Sequence, residues 1–255
     1  MPDAISADRP APSRYCIGMD TSTYHNKGSS EGEPPAVPPR ETAPAPSTRA
    51  TLKRHPERGR FEQDEIYAAL DAAWVCHLGI TTDDGPVVIP TSYARQGDTL
   101  LIHGSPASRL LRSSATGIPI CVTVTHVDGL VLARSTYHHS VNFRSVVVFG
   151  RATEITDPVA KAEALAAFVE HVVPGRTADA RPATPLEVKG TKVLAIPLAE
   201  ASLKVRTGGP SEEPEDYALP VWAGVLPITT AVGALVPDGR LDPAVEVPGY
   251  LRAAG

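Results

Sequence analysis

The chain has 255 residues, enough for one or two domains with a sizeable core, and 42% hydrophobic with 21% charged residues is the balance of a globular protein. A net charge of −5 and a pI near 5.9 argue against a general nucleic-acid or anionic-membrane binder, so an anionic ligand has to be met by a local cluster of cations. No apolar run reaches the roughly 20 residues of a membrane span and no signal-peptide core is evident, which makes a cytoplasmic protein the expectation. Cys16, Cys76 and Cys121 show no CxxC spacing, so neither a disulfide framework nor a cysteine zinc site is implied.

Residues 1–50 contain "EGEPPAVPPRETAPAPSTRA", rich in proline and poor in large apolar side chains, and are expected to be a disordered extension. The pattern begins at "FEQDEIYAALDAAWVCHLGI", where Ile66, Leu70 and Ala73 fall at helical spacing before Trp74, Cys76, Leu78 and Ile80 alternate as in a strand. Apolar runs follow with Asp84-Gly85, Gly97-Asp98 and Asp128-Gly129 between or within them, dipeptides that favour tight hairpin turns. A β-branched strand spans residues 143–155. A helix then opens at the cap Asp157 and Pro158, with Leu165, Phe168, Val169 and Val172 as its apolar stripe, and ends at Pro174-Gly175. "TKVLAIPLAEASLKVRTG" supplies a last strand interrupted at Pro197, and "LPVWAGVLPI" is the one later stretch apolar enough to dock on a body. About six short strands joined by tight turns, with helices at the corners, predict a mainly β, antiparallel barrel over residues 51–208 and a partly docked Pro/Gly-rich tail over residues 209–255. Neither GxGxxG nor GxxxxGK[ST] occurs, in keeping with the absence of a doubly wound nucleotide fold.

The stretch "DTLLIHGSPASRLLRSS" passes from a strand ending in His103 through Gly104-Ser105-Pro106-Ala107-Ser108 to Arg109 at the start of a short helix. Small hydroxyl residues and a guanidinium at such a turn suit an anion site, because the first turn of a helix offers unpaired N–H groups and a positive dipole end. Plain helix capping explains the same residues equally well. Arg144 shares a strand face with Val146 and Val148, so it binds either a carboxylate or phosphate ligand or a nearby partner such as Glu154 or Asp157. Five of the eight histidines fall between His77 and His139, yet no HxH or HExxH spacing is present and no metal site is predicted. A haem held by one histidine leaves no spacing to find. A serine hydrolase is set aside, since GxSxG is absent and Pro106 removes the N–H that follows Ser105.

Taken together, "CHLGI", "PVVIPTSYA", "DTLLIHGSPASRLL", "ICVTVT" and "HHSVNFRSVVVFGRA" resemble the flavin-nucleotide-binding branch of the pyridoxamine 5′-phosphate oxidase-like superfamily, which includes the nitroimidazole-resistance proteins. The resemblance runs from about Arg54 to Trp222. It implies a six-stranded split β-barrel, a homodimer and FMN at the subunit interface. By position it puts the FMN phosphate against Ser105, Ser108 and Arg109, the strand carrying Thr91 and Tyr93 along the flavin ring, and Arg144 with Ser145 near the flavin from the partner subunit. His103 matches a strand-end histidine considered reactive in the nitroimidazole-resistance proteins, and is expected to donate a proton to a reduced substrate. Lys204, Arg206 and Trp222 fall in a region that closes over the cofactor in the wider superfamily. The arginine-rich ending of true pyridoxamine phosphate oxidases is missing. The reading is therefore an FMN-dependent oxidoreductase for a small, electron-poor molecule such as a nitro-aromatic, with a non-catalytic flavin- or haem-binding protein as the alternative.

Overall fold

Hairpin chemistry and cross-strand pairing place most of the described residues, which in the computed structural model are 43–105 and 117–252. The main unit, Pro38–Ile228, is built in the order β1 (Gly59–Arg60), α1 (Gln63–Asp71), β2 (Val75–Thr82), β3 (Gly85–Gln96), β4 (Thr99–Gly104), β5 (Ile118–Leu132), β6 (Ser140–Glu154), α2 (Pro158–Val172), α3 (Pro185–Gly190), β7 (Lys192–Pro197), β8 (Glu200–Arg206) and β9 (Gly224–Pro227). The second unit includes residues 229–252, which are mostly exposed, turn at Asp238 and Asp242 and end in the short helix α4 (Gly249–Arg252).

All pairings are antiparallel. The strands run in the order β1-β8-β6-β7-β4-β3-β2-β5-β9, and an additional β5–β6 pairing closes β6-β7-β4-β3-β2-β5 into a ring of six. This is the predicted split barrel, with β8 and β1 added beside β6 and β9 added beside β5. Gly97, at φ +55°, makes the two-residue turn between Gln96 and Thr99, a left-handed conformation that favours glycine.

Asp128-Gly129 does not form the expected hairpin. β5 runs through it to Leu132, with a register shift between Val127 and Gly129 against β6. Glycine is needed there for closeness rather than for a turn: a Cβ on Gly129 would lie 2.9 Å from Val225 Cγ1 and 3.1 Å from the Leu226 carbonyl oxygen on β9.

The barrel interior is filled from alternate positions of the strands, among them Leu78, Leu100, Ile102, Val122, Val148 and Ile196, while Ile66, Ala69 and Leu70 of α1 plug one end. Fully burying each large aliphatic side chain contributes about 1.5–3 kcal/mol. A second apolar cluster lies outside the ring, where Ala94, Leu101 and Val193 meet Ala164 and Phe168 of α2. The Asp157 carboxylate accepts the Ala160 N–H at 2.8 Å, capping α2 as its sequence predicts. The helix α3, absent from the sequence expectation, is held by a capping box between Thr184 and Glu187.

Candidate functional site

Period-two alternation divides the functional candidates between the two faces of the barrel wall. Thr91 and Tyr93 stand on the inner side of β3 with Cys76, whose thiol burial pushes up to about 12. Tyr93 is fully buried, its hydroxyl donates to the Leu70 carbonyl, and the same burial raises its pKa. The Tyr93 side chain is thus a core residue that ties α1 to β3. Thr91 is half-buried and its hydroxyl donates to the Ser92 carbonyl at 3.3 Å.

Arg144 also faces inward, at the mouth. It makes a two-pronged ion pair with Asp128, Nε and Nη2 donating at 3.0 and 2.9 Å, so its carboxylate comes from β5 and not from Glu154 or Asp157. The β-bulge brings Asp128 within reach.

His103 lies on the side of β4 covered by α2. Its ring meets Phe168 edge-on at 4.3 Å between centroids, and its buried Nδ1 has no hydrogen-bond partner among the described residues. Burial lowers its pKa, so the ring is neutral near pH 7. Ser105, just beyond β4, is exposed. Ser108 and Arg109, with the short helix expected there, lie outside the described residues.

The outer face of β2, β5, β6 and β8 has another character. Cross-strand pairing puts His77, Thr123, Val147 and Ser202 in one row, Thr125, Ser145 and Lys204 in the next, and Val127, Phe143 and Arg206 in a third. Three candidates inferred from the sequence, Ser145, Lys204 and Arg206, therefore share one surface. The Thr125 and Ser145 hydroxyls are 3.0 Å apart. Toward β2 and β3 the face carries Val75, Val88 and Val127, exposed around an exposed His77.

Toward β8 the face ends in a cleft of about 360 Å³ whose lining includes Arg54, Arg58, Lys204 and Arg206, and no carboxylate. His55, His138 and His139 add imidazoles to it, and Tyr137 and Phe143 add rings. Pairing of Gly59 with Lys204 brings the segment carrying Arg54 and Arg58 to this edge. Two of these cations are held by neutral groups: Lys204 Nζ donates to the Arg54 carbonyl at 2.9 Å, and Arg206 donates to the Asn142 side-chain oxygen and, at 3.3 Å, to the Gly209 carbonyl. Burial and the neighbouring Arg58 both lower the Arg206 pKa. At the rim the exposed Glu57 carboxylate reaches His55 at 3.1 Å and Arg58 at 3.7 Å.

Arg54, Arg58 and Tyr137 were not singled out in the sequence. The basic run "KRHPER" and the His138-His139 pair were the available signals, but their meeting depends on strands far apart in the chain. Trp222 is exposed, packs its indole over Gly224 and is not part of the cleft lining. Among the described residues no three metal-ligating side chains form a metal-holding group, and no helix is long and apolar enough to cross a membrane.

Comparison with known proteins adds to this geometry. A family model described as pyridoxamine 5′-phosphate oxidase matches residues 62–205. The flavocytochrome Anf3 from Azotobacter vinelandii is 43% identical, with a TM-score of 0.78 over 83% of this chain and 98% of its own. A FAD and heme binding protein from Mycobacterium smegmatis is 35% identical, with a TM-score of 0.74 over 77% of this chain and 97% of its own. No curated protein matches the sequence.

Proposed function

Because the chain belongs to the pyridoxamine 5′-phosphate oxidase family, we propose that it is a flavin-binding redox protein of the flavocytochrome kind, carrying haem as a second group. The observation that carries this reading is the meeting of a sheet face bearing exposed valines with a cationic cleft along one edge. A flavin nucleotide needs both, an apolar surface for its ring system and cations for its phosphate. FMN, the mononucleotide implied by the family resemblance, and FAD both meet that requirement. The FAD of the Mycobacterium smegmatis protein favours the dinucleotide.

When bound, a flavin supplies reversible one- and two-electron transfer, and the protein's part is to hold it, exclude water and position donors. Ser145 and Thr125 offer hydroxyl donors on the open face, and Lys204 and Arg206 offer charge beside them. The exposed Val75, Val88 and Val127 suit coverage by a second copy of the chain, which would enclose the flavin at a homodimer interface.

The histidines favour haem at one position. Of the described histidines, His126, His139 and His171 hydrogen-bond backbone carbonyls at 2.8, 3.0 and 2.7 Å, His55 is paired with Glu57, His138 packs edge-on against Tyr137, and His103 is covered by α2. His77 stands exposed on the outer face, where its imidazole would be available to ligate haem iron and the neighbouring Val75, Val88 and Val127 would supply apolar contact.

The test is the spectrum of the purified protein, followed by chromatography of whatever denaturation releases. Flavin absorption with a haem Soret band is the expected result, and His77→Ala should remove the Soret band and leave the flavin. Protein that is colourless and takes up neither FMN, FAD nor haem would overturn the reading.

A further inference from the structure

We propose that the cleft bounded by Arg54, Arg58, Lys204 and Arg206 binds the diphosphate of an adenosine 5′-diphosphate group, with Tyr137 and His138 taking the base. The proposal rests on the flavin reading and deepens it, because it names what the cationic edge holds.

Four permanent cations converge on one cleft of a chain whose net charge is −5, and no carboxylate lines it. Among the described residues Glu57, at the rim, is the carboxylate that reaches these cations, through Arg58, which leaves three positive charges without a described carboxylate partner. Lys204 and Arg206 are oriented by neutral acceptors that fix their positions without neutralising them. Cations gathered in this way repel each other and an anion relieves the repulsion; burial first, and the neighbouring Arg58 second, lower the Arg206 pKa.

Charge count and shape then select the ligand. A single phosphate monoester needs one or two cations, whereas four, arriving from two separate segments, match the spread charge of a diphosphate. A volume of about 360 Å³ lies in the lower range of small-molecule sites. It holds a nucleotide half better than a whole dinucleotide, whose remainder must lie elsewhere. Tyr137 is exposed, with its ring perpendicular to His138 at 5.1 Å between centroids, so the two rings form a corner on which a purine can stack. The cleft shares its sheet face with Ser145, so the rest of the molecule can continue across that face.

Two sources carry this group: the adenylate end of FAD, or a pyridine nucleotide that delivers electrons. They separate by calorimetric titration of ADP, with adenosine and inorganic pyrophosphate as controls, into the protein as isolated and after flavin removal. If the cleft holds FAD, ADP binds only after flavin removal, and Arg54→Ala/Arg58→Ala loses FAD but retains FMN. If it holds a pyridine nucleotide, ADP binds the flavin-loaded protein and competes with NADPH or NADH in reducing it. In both cases pyrophosphate competes with ADP, and the double variant weakens ADP binding at least tenfold while adenosine is unaffected. Arg54 and Arg58 are surface side chains, so these variants should keep the wild-type melting temperature. Arg58→Glu, folded and still binding ADP with wild-type affinity, would overturn the proposal.

Failure of the two readings is distinguishable. Protein that retains flavin but binds ADP in neither form loses the cleft assignment alone. Protein that takes up no flavin yet binds ADP in a way that depends on Arg54 and Arg58 keeps the cleft and loses the flavin.

Discussion

The inner and outer surfaces of the same barrel wall treat their polar groups differently. Inside, Tyr93 gives its hydroxyl to Leu70 and Arg144 gives its guanidinium to Asp128, so the chain completes its own bonding. Outside, Lys204 and Arg206 lean on neutral oxygens, and an imidazole stands among exposed valines. Chemistry satisfied within the chain serves stability, and chemistry left incomplete is what remains for a ligand. Tyr93 and Arg144, on strands that the family resemblance puts near the flavin, have their side-chain bonding completed within the chain.

The contrast is breakable by mutation, and the largest effect belongs to the interior. Leu78→Ala should lower unfolding free energy by about 2–5 kcal/mol in urea titrations, since a fully buried leucine leaves a cavity. Arg144→Ala should cost about 1–3 kcal/mol by leaving Asp128 half-buried without its partner, and adding Asp128→Ala should recover part of the loss. If Arg144→Ala instead leaves stability intact and empties the protein of flavin, the division between the faces is drawn in the wrong place.

A smaller effect tests His103 through pH. Its folded-state pKa is depressed, so in the window below its ordinary value of about 6.5 the unfolded chain binds the extra proton. Stability should therefore be complete above that value and decline as pH falls through the lowered one, and His103→Phe should flatten the decline in melting curves taken across the window. The smallest effect is expected outside. Val88→Thr should change unfolding free energy by no more than about 0.5 kcal/mol, while sedimentation shows a weaker dimer if a second copy covers that face.

Much of the barrel was readable because its signals are local. Gly97 needs a left-handed turn, Asp157 caps α2, and Pro197 ends β7, each within a few residues of its cause. Asp128-Gly129 misled because the same dipeptide serves a turn or a close strand approach, and β9, which decides between them, lies about a hundred residues away. The helix α3 carried a readable Thr184-x-x-Glu187 box but lacked an apolar stripe long enough to draw notice. Lys204, Arg206 and Ser145 were found through family resemblance. Arg54 and Arg58 were not, since only the pairing of β1 with β8 brings them to the cleft.

The fit of β9 against Gly129 has a consequence for the tail. β2 pairs with β5 only over Ile120–Thr123, and β9 takes up the same strand again at Gly129–Leu132. Without that short graft, a bare rim of amide and carbonyl groups would be offered to any passing chain. Trimming the protein after β8 would thus yield a self-adhesive particle instead of a smaller barrel.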